Sequence, residues 1–170
     1  KAVRVLISVA DNERDILDQT KRLHPDVLHL CANFTGSPEF REKMRQEIPD
    51  VLLMEAVGIV DESAVEDAKA KAEYADILIL DSVSKTVPGV GAAGETHDWS
   101  IDKAIVDAVN IPVILAGGLG PDNVEDAIRA VHPAGVDSLT KTSIKENGIL
   151  VRKDLEKVRE FCTRAKAMEM

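Results

Sequence analysis

Two adjacent glycines, Gly117 and Gly118, form the corner of the chain that best suits chemistry. They close an apolar run that starts at residue 111 and precede a helical pattern. Glycine has no Cβ, so backbone N–H groups at such a corner can approach an anion closely, in front of the positive end of the helix dipole. A tight βα turn with positive φ needs the same two residues, so both interpretations stay open. Thr140 and Lys141 follow the last apolar run, and a hydroxyl and an ammonium group both suit a phosphate.

Asp81 is the candidate proton donor. It ends the run DILILD at 76–81 and alternates with Ile77 and Ile79, so it shares their face of the predicted strand. A carboxyl group partly removed from water has a raised pKa, which suits a general acid near neutral pH. The alternative is an Asx turn, in which the carboxylate only accepts a hydrogen bond from the backbone that follows it.

A glycine-rich segment, PGVGAAGETHDW at 88–99, lies between this run and the next helical pattern. The connection from Ser82 to His97 is about 16 residues long, and structureless loops of that length are often lids over ligands. Gly91 and Gly94 are therefore candidate substrate-loop residues. A flexible surface loop is the alternative.

Three other reactive side chains, one histidine and two cysteines, indicate a functional site less clearly. His29 lies inside the run VLHLC at 27–31, which favours a core histidine with one hydrogen bond over a ligand or base. Cys31 ends that run and is either a buried thiol or a residue at the mouth of the fold. Cys31 and Cys162 are the only cysteines and lack CxxC or histidine partners, which predicts reduced thiols rather than a disulfide or zinc site. Ligand spacing predicts no metal and no organic cofactor.

Six apolar runs alternate with six helical patterns, and these elements must position the candidate residues. Short β-branched runs with few polar interruptions are typical of a parallel sheet covered on both faces. The predicted strands are 3–9, 27–31, 51–59, 76–81, 111–117 and 135–140, and the predicted helices are 12–24, 37–48, 62–74, 98–109, 121–131 and 153–168.

Six βα units fit a doubly wound sheet or part of a (β/α)₈ barrel. The first βα turn, SVADNERD at 8–15, has no glycine, whereas the glycines follow the fourth and fifth strands. Late phosphate-binding turns are typical of the barrel, which favours an α/β fold of the TIM (β/α)₈-barrel type. A complete barrel has eight strands, so residues 1–170 are predicted to be a single barrel domain that lacks two units. An open sheet exposes apolar edges, which two further units or another chain would cover.

Composition limits the partners. The chain has 170 residues, 45% of them hydrophobic and 3% aromatic, and a net charge of −9. This balance argues against nucleic acid and anionic membranes, which both need a basic face, but allows a small phosphorylated ligand. No apolar stretch approaches the roughly 18 residues of a membrane span, and no signal peptide is visible. The two cysteines, predicted to be reduced thiols, indicate a cytoplasmic protein.

In order along the chain, five segments resemble the phosphoribosylanthranilate isomerase family, (β/α)₈-barrel enzymes of tryptophan biosynthesis. The family motifs are approximately KAVGV, xLLDS, GGTGxxFDW, xxLAGGLxPENVxxAI and xPxGVDVSS. They match EAVGI at 55–59, ILILDS at 77–82, GAAGETHDW at 91–99, VILAGGLGPDNVEDAI at 113–128 and HPAGVDSLT at 132–140. The resemblance covers essentially the whole chain, aligned to the family's third through eighth units.

This resemblance implies an Amadori rearrangement of N-(5′-phosphoribosyl)anthranilate, a phosphorylated sugar, without a cofactor. Asp81 falls on the family's general acid. Gly117 and Gly118 fall on its first phosphate turn, and Thr140 on the second of the serines that complete the phosphate site. A homodimer is the expected assembly.

Several family features are absent or changed. The general base, a cysteine in a KxCG motif, and an anthranilate-binding arginine match no residue of this sequence. Glu55 stands where the family has lysine, and Lys141, Thr142 and Ser143 replace Gly-Val-Glu. Besides the isomerase, a non-isomerising phosphosugar-binding relative and a structural half-barrel that associates with another chain stay open. Since isomerisation needs both a proton donor and an acceptor, the chain by itself is expected to be inactive.

Overall fold

A six-stranded parallel sheet with its strands in chain order dominates the structure, a computed structural model that describes residues 2–31, 34–82 and 99–168. The strands are β1 (Val5–Ser8), β2 (Val27–Leu30), β3 (Leu52–Ile59), β4 (Ile77–Ser82), β5 (Val113–Leu115) and β6 (Gly135–Val136). The helices are α1 (Glu13–Leu23), α2 (Pro38–Glu47), α3 (Ala64–Ala72), α4 (Trp99–Ala108), α5 (Val124–Val131) and α6 (Leu155–Ala167). A doubly wound sheet reverses its strand order, so the unbroken order confirms the predicted incomplete barrel.

The two faces of the sheet carry different cores. The face that the helices cover contains residues such as Leu28, Leu53 and Leu80. The opposite, inward face carries a smaller cluster that includes Val27 and Ile79. Because side chains alternate along a strand, Asp81 lies on the same inward face as Ile79, at the carboxyl end of β4.

Polar side chains fix the beginnings of α1 and α2. The Asn12 side chain accepts a hydrogen bond of 3.0 Å from the backbone N of Asp15 at the start of α1. The Ser37 hydroxyl accepts one of 3.1 Å from the backbone N of Phe40, directly before the N-terminal proline of α2. These caps satisfy amide groups that the helix itself leaves unpaired.

The region after β6 differs from the prediction of a strand over 135–140. The strand ends at Val136, and an antiparallel hairpin of β7 (Ser143–Glu146) and β8 (Ile149–Lys153) follows before α6. Its two-residue turn is Asn147-Gly148, with φ values of 51° and 83°. Asparagine followed by glycine favours the left-handed backbone of such a turn, so the sequence contained a hairpin signal that the prediction did not use.

The inward face of β1 is open to solvent, as expected for the edge of an incomplete barrel. Val5 is 47% exposed and Ile7 is 59% exposed. None of the helices in the described ranges combines the length and apolar character that a membrane crossing requires.

Glu55 is a buried carboxyl on the helix-covered face of β3, only 2% exposed. It accepts a hydrogen bond of 2.6 Å from the backbone N of Gly36. Desolvation raises the pKa of Glu55 to about 7, while the Gly36 N–H and the charge of Lys71 lower it and the charge of Asp67 raises it further. The folded protein therefore has a carboxyl that titrates near neutral pH.

This buried carboxyl predicts a pH-dependent loss of stability. Its pKa is higher in the folded chain than the usual 4.5. The folded state therefore binds more protons between those two values, and stability falls as the pH rises from about 5 to 8, by up to about 3 kcal/mol. Glu55→Gln removes this titration. The measurement is the free energy of unfolding in urea at pH 5 and at pH 8. The difference between the Gln variant and wild type is expected to shift in favour of the variant by about 2–3 kcal/mol between pH 5 and pH 8.

The matched control is Glu66→Gln, because Glu66 lies on the exposed side of α3 in an ion pair with Lys69. Its stability relative to wild type should change by less than about 1 kcal/mol between the same pH values. An equal pH response of the two variants would show that burial of Glu55 does not raise its pKa.

Candidate functional site

A pocket opens at the carboxyl ends of β4, β5 and β6, the edge where barrel enzymes bind their ligands. The structure brings together the residues that the sequence predicted separately, since the pocket is lined by Asp81, Gly117, Gly118, Thr140 and Lys141. The candidate substrate-loop residues Gly91 and Gly94 belong to 83–98, outside the described residues.

The first wall of the pocket is the glycine turn. Gly117 and Gly118 have φ values of 84° and 63°, so the tight turn that the sequence left as an alternative is present. Asn123 holds the turn from both sides. Its amide nitrogen donates to the Gly118 carbonyl at 3.1 Å, and its side-chain oxygen accepts from the backbone N of Gly120 at 2.8 Å. The turn is therefore fixed without using the N–H groups of the two glycines.

Within the described part of the chain, no protein atom accepts from those two N–H groups, so they are available to a ligand. Neither Gly117 N nor Gly118 N donates to any atom of residues 2–31, 34–82 or 99–168. A buried or half-buried amide without a protein acceptor is costly unless water or a ligand accepts from it. The turn thus has unpaired N–H groups at the pocket, while its Gly118 carbonyl is paired with the Asn123 side chain.

The second wall of the pocket is the turn of residues 137–141 between β6 and β7. The Ser138 hydroxyl donates to the Leu119 carbonyl at 2.6 Å and so ties the two walls together. The Leu139 carbonyl accepts from the Ser143 hydroxyl at 2.6 Å. The N–H groups of Leu139 and Thr140 have no acceptor among the described residues. Both walls of the pocket therefore contain backbone N–H groups that have no acceptor among the described residues.

Asp81 adds a carboxyl group to this pocket. Its Oδ1 accepts a hydrogen bond of 2.7 Å from the backbone N of Ser82, which is the local bond that the alternative interpretation predicted. That bond and a place in the pocket wall are compatible, since Asp81 accepts from Ser82 and lines the pocket in the same structure.

Asp137 and Ser138 are pocket residues that the sequence reasoning missed. Asp137 directly follows β6, and its place resembles that of Asp81 near the end of β4. The prediction placed Asp137 inside a strand over 135–140, so it was not recognised as a residue at a strand end. Desolvation raises the pKa of Asp137, opposed by the charge of Lys153 and by the Ser138 N–H. Asp137 is nevertheless open to solvent, so it is a second carboxyl at the pocket surface.

His29 and Cys31 both lie on the inward side of β2, outside the pocket lining. Burial lowers the pKa of His29, and its Nε2 has no hydrogen-bond partner in the described ranges. Cys31 is half-buried rather than buried. Burial raises the pKa of its thiol, and the charge of Asp81 raises it further, which indicates that Cys31 lies near the acid.

The fold and this pocket define a (β/α)-barrel protein that presents backbone donors and a carboxyl group at the carboxyl edge of its sheet. The family model of N-(5′-phosphoribosyl)anthranilate isomerase matches residues 1–164. The chain belongs to this family, the isomerases of tryptophan biosynthesis, which confirms the resemblance and the predicted isomerase function.

Individual relatives support this assignment. The N-(5′-phosphoribosyl)anthranilate isomerase of Methanocella arvoryzae is 31% identical over 157 residues, which cover 92% of this chain and 70% of the relative. The structure of mutually generated monomers of the dimeric Thermotoga maritima enzyme has a TM-score of 0.75 at 25% identity, covering 98% of this chain and 74% of that one. A complex of the isomerase with reduced 1-(o-carboxyphenylamino)-1-deoxyribulose 5-phosphate has a TM-score of 0.72 at 25% identity, covering 98% and 73%. These similarities do not support the expectation of an inactive chain.

Proposed function

We propose that this pocket binds the 5′-phosphate of N-(5′-phosphoribosyl)anthranilate and that the protein converts this compound into 1-(2-carboxyphenylamino)-1-deoxyribulose 5-phosphate. One observation carries the proposal: Asp81 and two turns with unused backbone donors line the same pocket. The relative in complex with a reduced product analogue supports it, because that ligand also carries a 5-phosphate.

In this proposal the phosphate lies between the two turns. The N–H groups of Gly117 and Gly118 donate from one side, and the N–H and hydroxyl of Thr140 from the other. Backbone donors suit a dianion because they are charge-neutral and fixed in place before binding. Lys141 adds a positive charge at the rim, where its Nζ is 3.9 Å from Asp122 Oδ2. A chain with a net charge of −9 thereby gains a local site for an anion.

Asp81 is the proposed general acid. Its carboxyl group gives a proton to the ribose ring oxygen as the bond from that oxygen to C1 breaks, and the anthranilate nitrogen stabilises C1 as an iminium ion. Loss of the C2 proton to a base then gives an enolamine, which tautomerises to the ketone product. The resemblance assigns the base to the cysteine of the KxCG motif, so Asp81 is the one catalytic residue proposed in this sequence.

We also propose a cellular location and an assembly for the protein. Cys31 and Cys162 are free thiols, as in proteins of the reducing cytoplasm, where we place the enzyme. We also propose a homodimer, by similarity to the dimeric Thermotoga maritima enzyme.

Turnover of N-(5′-phosphoribosyl)anthranilate by the full-length protein, followed through the decay of substrate fluorescence, tests this function. Ribose 5-phosphate is expected to compete with the substrate, and ribose is not. Binding of ribose 5-phosphate without turnover would instead identify a non-isomerising phosphosugar-binding protein. Residues 141–143, which differ from the family motif, favour that alternative. If the protein neither binds ribose 5-phosphate nor turns over the substrate, the phosphate site is disproved.

Gly118→Ala tests the first wall of the pocket. A non-glycine residue in the left-handed region at φ 63° costs roughly 1–2 kcal/mol, and relaxing this strain moves the N–H groups of the turn. We expect the inhibition constant of ribose 5-phosphate to rise about tenfold, the size of one lost or misaligned hydrogen bond. The measurement is competitive inhibition of turnover.

Gly148→Ala is the matched control. Gly148 has a similar φ of 83°, and an added Cβ would meet nothing within 4 Å. It lies at the tip of the hairpin, outside the pocket lining. This variant should lose similar stability but keep the inhibition constant within about twofold. Equal inhibition constants for the two variants would show that the glycine turn is not part of the phosphate site.

A further inference from the structure

We propose that Lys153 is a positioning residue of the phosphate site: its ammonium group orients the turn of residues 137–141 and places a positive charge behind it. The proposal rests on the phosphate-binding function proposed above. It assigns a role to the β7–β8 hairpin, which presents Lys153 at the end of β8.

The ammonium group of Lys153 makes three hydrogen bonds to this part of the chain. Its Nζ donates to the Ser138 carbonyl at 3.0 Å, to the Leu139 carbonyl at 3.2 Å and to Thr142 Oγ1 at 3.0 Å. A lysine ammonium has three donors, so these acceptors use all of them. A compact group with three convergent bonds is suited to holding a tight turn in one conformation.

These bonds determine where the N–H groups of the turn point. In a planar trans peptide the carbonyl of one residue and the N–H of the next point in opposite directions. When Lys153 holds the carbonyls of Ser138 and Leu139, the N–H groups of Leu139 and Thr140 must face away from the ammonium. Leu139 and Thr140 line the pocket, and their N–H groups have no acceptor among the described residues. The ammonium thus directs two donors toward the ligand.

The charge of Lys153 also acts on the pocket. It lowers the pKa of Asp137, another residue of the lining, against the effect of desolvation. No carboxylate of the described residues forms an ion pair with Lys153, whereas Lys141 is shared with Asp122. Apart from the longer-range effect on Asp137, the positive charge behind the turn can act on an anion in the pocket.

The backbone around Lys153 is fixed where the hairpin joins α6. The backbone N of Asp154 donates to the Thr142 carbonyl at 3.0 Å. The Asp154 side chain then accepts from the backbone N of Glu156 at 3.2 Å and caps the helix. Lys153 therefore extends toward the turn from an anchored position.

Lys153→Met in the full-length protein tests the proposal, because methionine keeps the apolar stem and removes the ammonium. The Kd of ribose 5-phosphate, measured by calorimetry, and the KM of turnover are expected to rise about 10–100-fold, while kcat stays within about threefold. The control is Lys145→Met on the facing strand β7, an exposed lysine whose side chain makes no hydrogen bond or ion pair in the described chain. It should change neither value by more than about twofold.

A merely structural role predicts a lower Tm with unchanged Kd and KM, and that result overturns the proposal. If Lys153→Met does not fold, Lys153→Gln keeps amide donors without the charge and should still raise the Kd at least about fivefold. An unchanged Kd in this second variant overturns the proposal equally. Failure of the wild-type protein to bind ribose 5-phosphate disproves the proposed function itself, which separates the two outcomes.

Discussion

Asp81→Asn in the full-length protein is expected to lower kcat for N-(5′-phosphoribosyl)anthranilate by about 10²–10⁴-fold, the usual loss when a general acid is removed. Asparagine has nearly the shape of aspartic acid and can accept the same hydrogen bond of 2.7 Å from the backbone N of Ser82. It cannot give a proton to the ring oxygen. The Kd of ribose 5-phosphate should stay within about threefold of wild type, because the phosphate donors are unaffected.

Asp61→Asn is the control for this variant. Asp61 follows β3 at the same edge of the sheet and also bonds locally, since its Oδ1 accepts from the backbone N of Ser63 at 2.9 Å. It does not line the pocket. If Asp81 only shaped a turn, both variants would keep their turnover. A kcat for Asp81→Asn within about threefold of that for Asp61→Asn would therefore rule out the general acid.

Local patterns were sufficient to predict the sheet and one side of the site. The alternation of Ile77, Ile79 and Asp81 predicted their shared face of β4. Gly117 and Gly118 predicted a turn with positive φ, because few other residues adopt that conformation without strain. Each of these signals lies within a few consecutive residues, where secondary structure alone determines the geometry.

Thr140 and Lys141 of the second wall were predicted from their place after the last apolar run, and both line the pocket. The arrangement of this wall could not be predicted, because contacts distant in sequence hold it. Ser138 bonds to a carbonyl 19 residues earlier, and Lys153 bonds to one 15 residues earlier. Apolar periodicity carries no information about such pairs. The prediction of a strand over 135–140 also extended β6 beyond Val136 and hid the exposed turn. Recognising Asn147-Gly148 as a hairpin turn would have shortened that strand, but would not have indicated what Lys153 contacts.

The burial of Glu55 is a second case in which sequence was insufficient. A single glutamate in an apolar strand indicates either an exposed edge or a partner, but its neighbours in sequence are apolar. The partner is the backbone N–H of Gly36, 19 residues earlier and in the connection before α2. A backbone donor is invisible in a sequence, because every residue except proline has one.

The ion pair between Arg41 and Asp76 should have the largest effect on stability. Arg41 of α2 donates from Nη2 to Asp76 Oδ1, directly before β4, and the two side chains are only 10% and 20% exposed. Asp76 Oδ2 also accepts from the backbone N of Leu53 at 2.7 Å. Asp76→Ala therefore leaves a buried guanidinium and a buried amide without their acceptor. We expect the free energy of unfolding, measured with urea, to fall by about 3–5 kcal/mol.

The pair of Arg4 and Asp26 provides a matched control with the same chemistry at the surface. Asp26 precedes β2 as Asp76 precedes β4, and it accepts from the backbone N and the Nε of Arg4 at 2.8 and 3.1 Å. These side chains are 58% and 39% exposed. Water replaces a lost partner there, so Asp26→Ala should cost about 1 kcal/mol or less.

Replacing both members of the buried pair separates the interaction from the cost of burying a single charge. Arg41→Met with Asp76→Leu removes the unpaired guanidinium that Asp76→Ala leaves behind, although the amide of Leu53 still lacks its acceptor. The double variant should therefore be more stable than Asp76→Ala by about 1–3 kcal/mol. A double variant that is less stable than Asp76→Ala would mean that the side chains stabilise the barrel through packing. In that case the ion pair would not determine how α2 is held against β3 and β4.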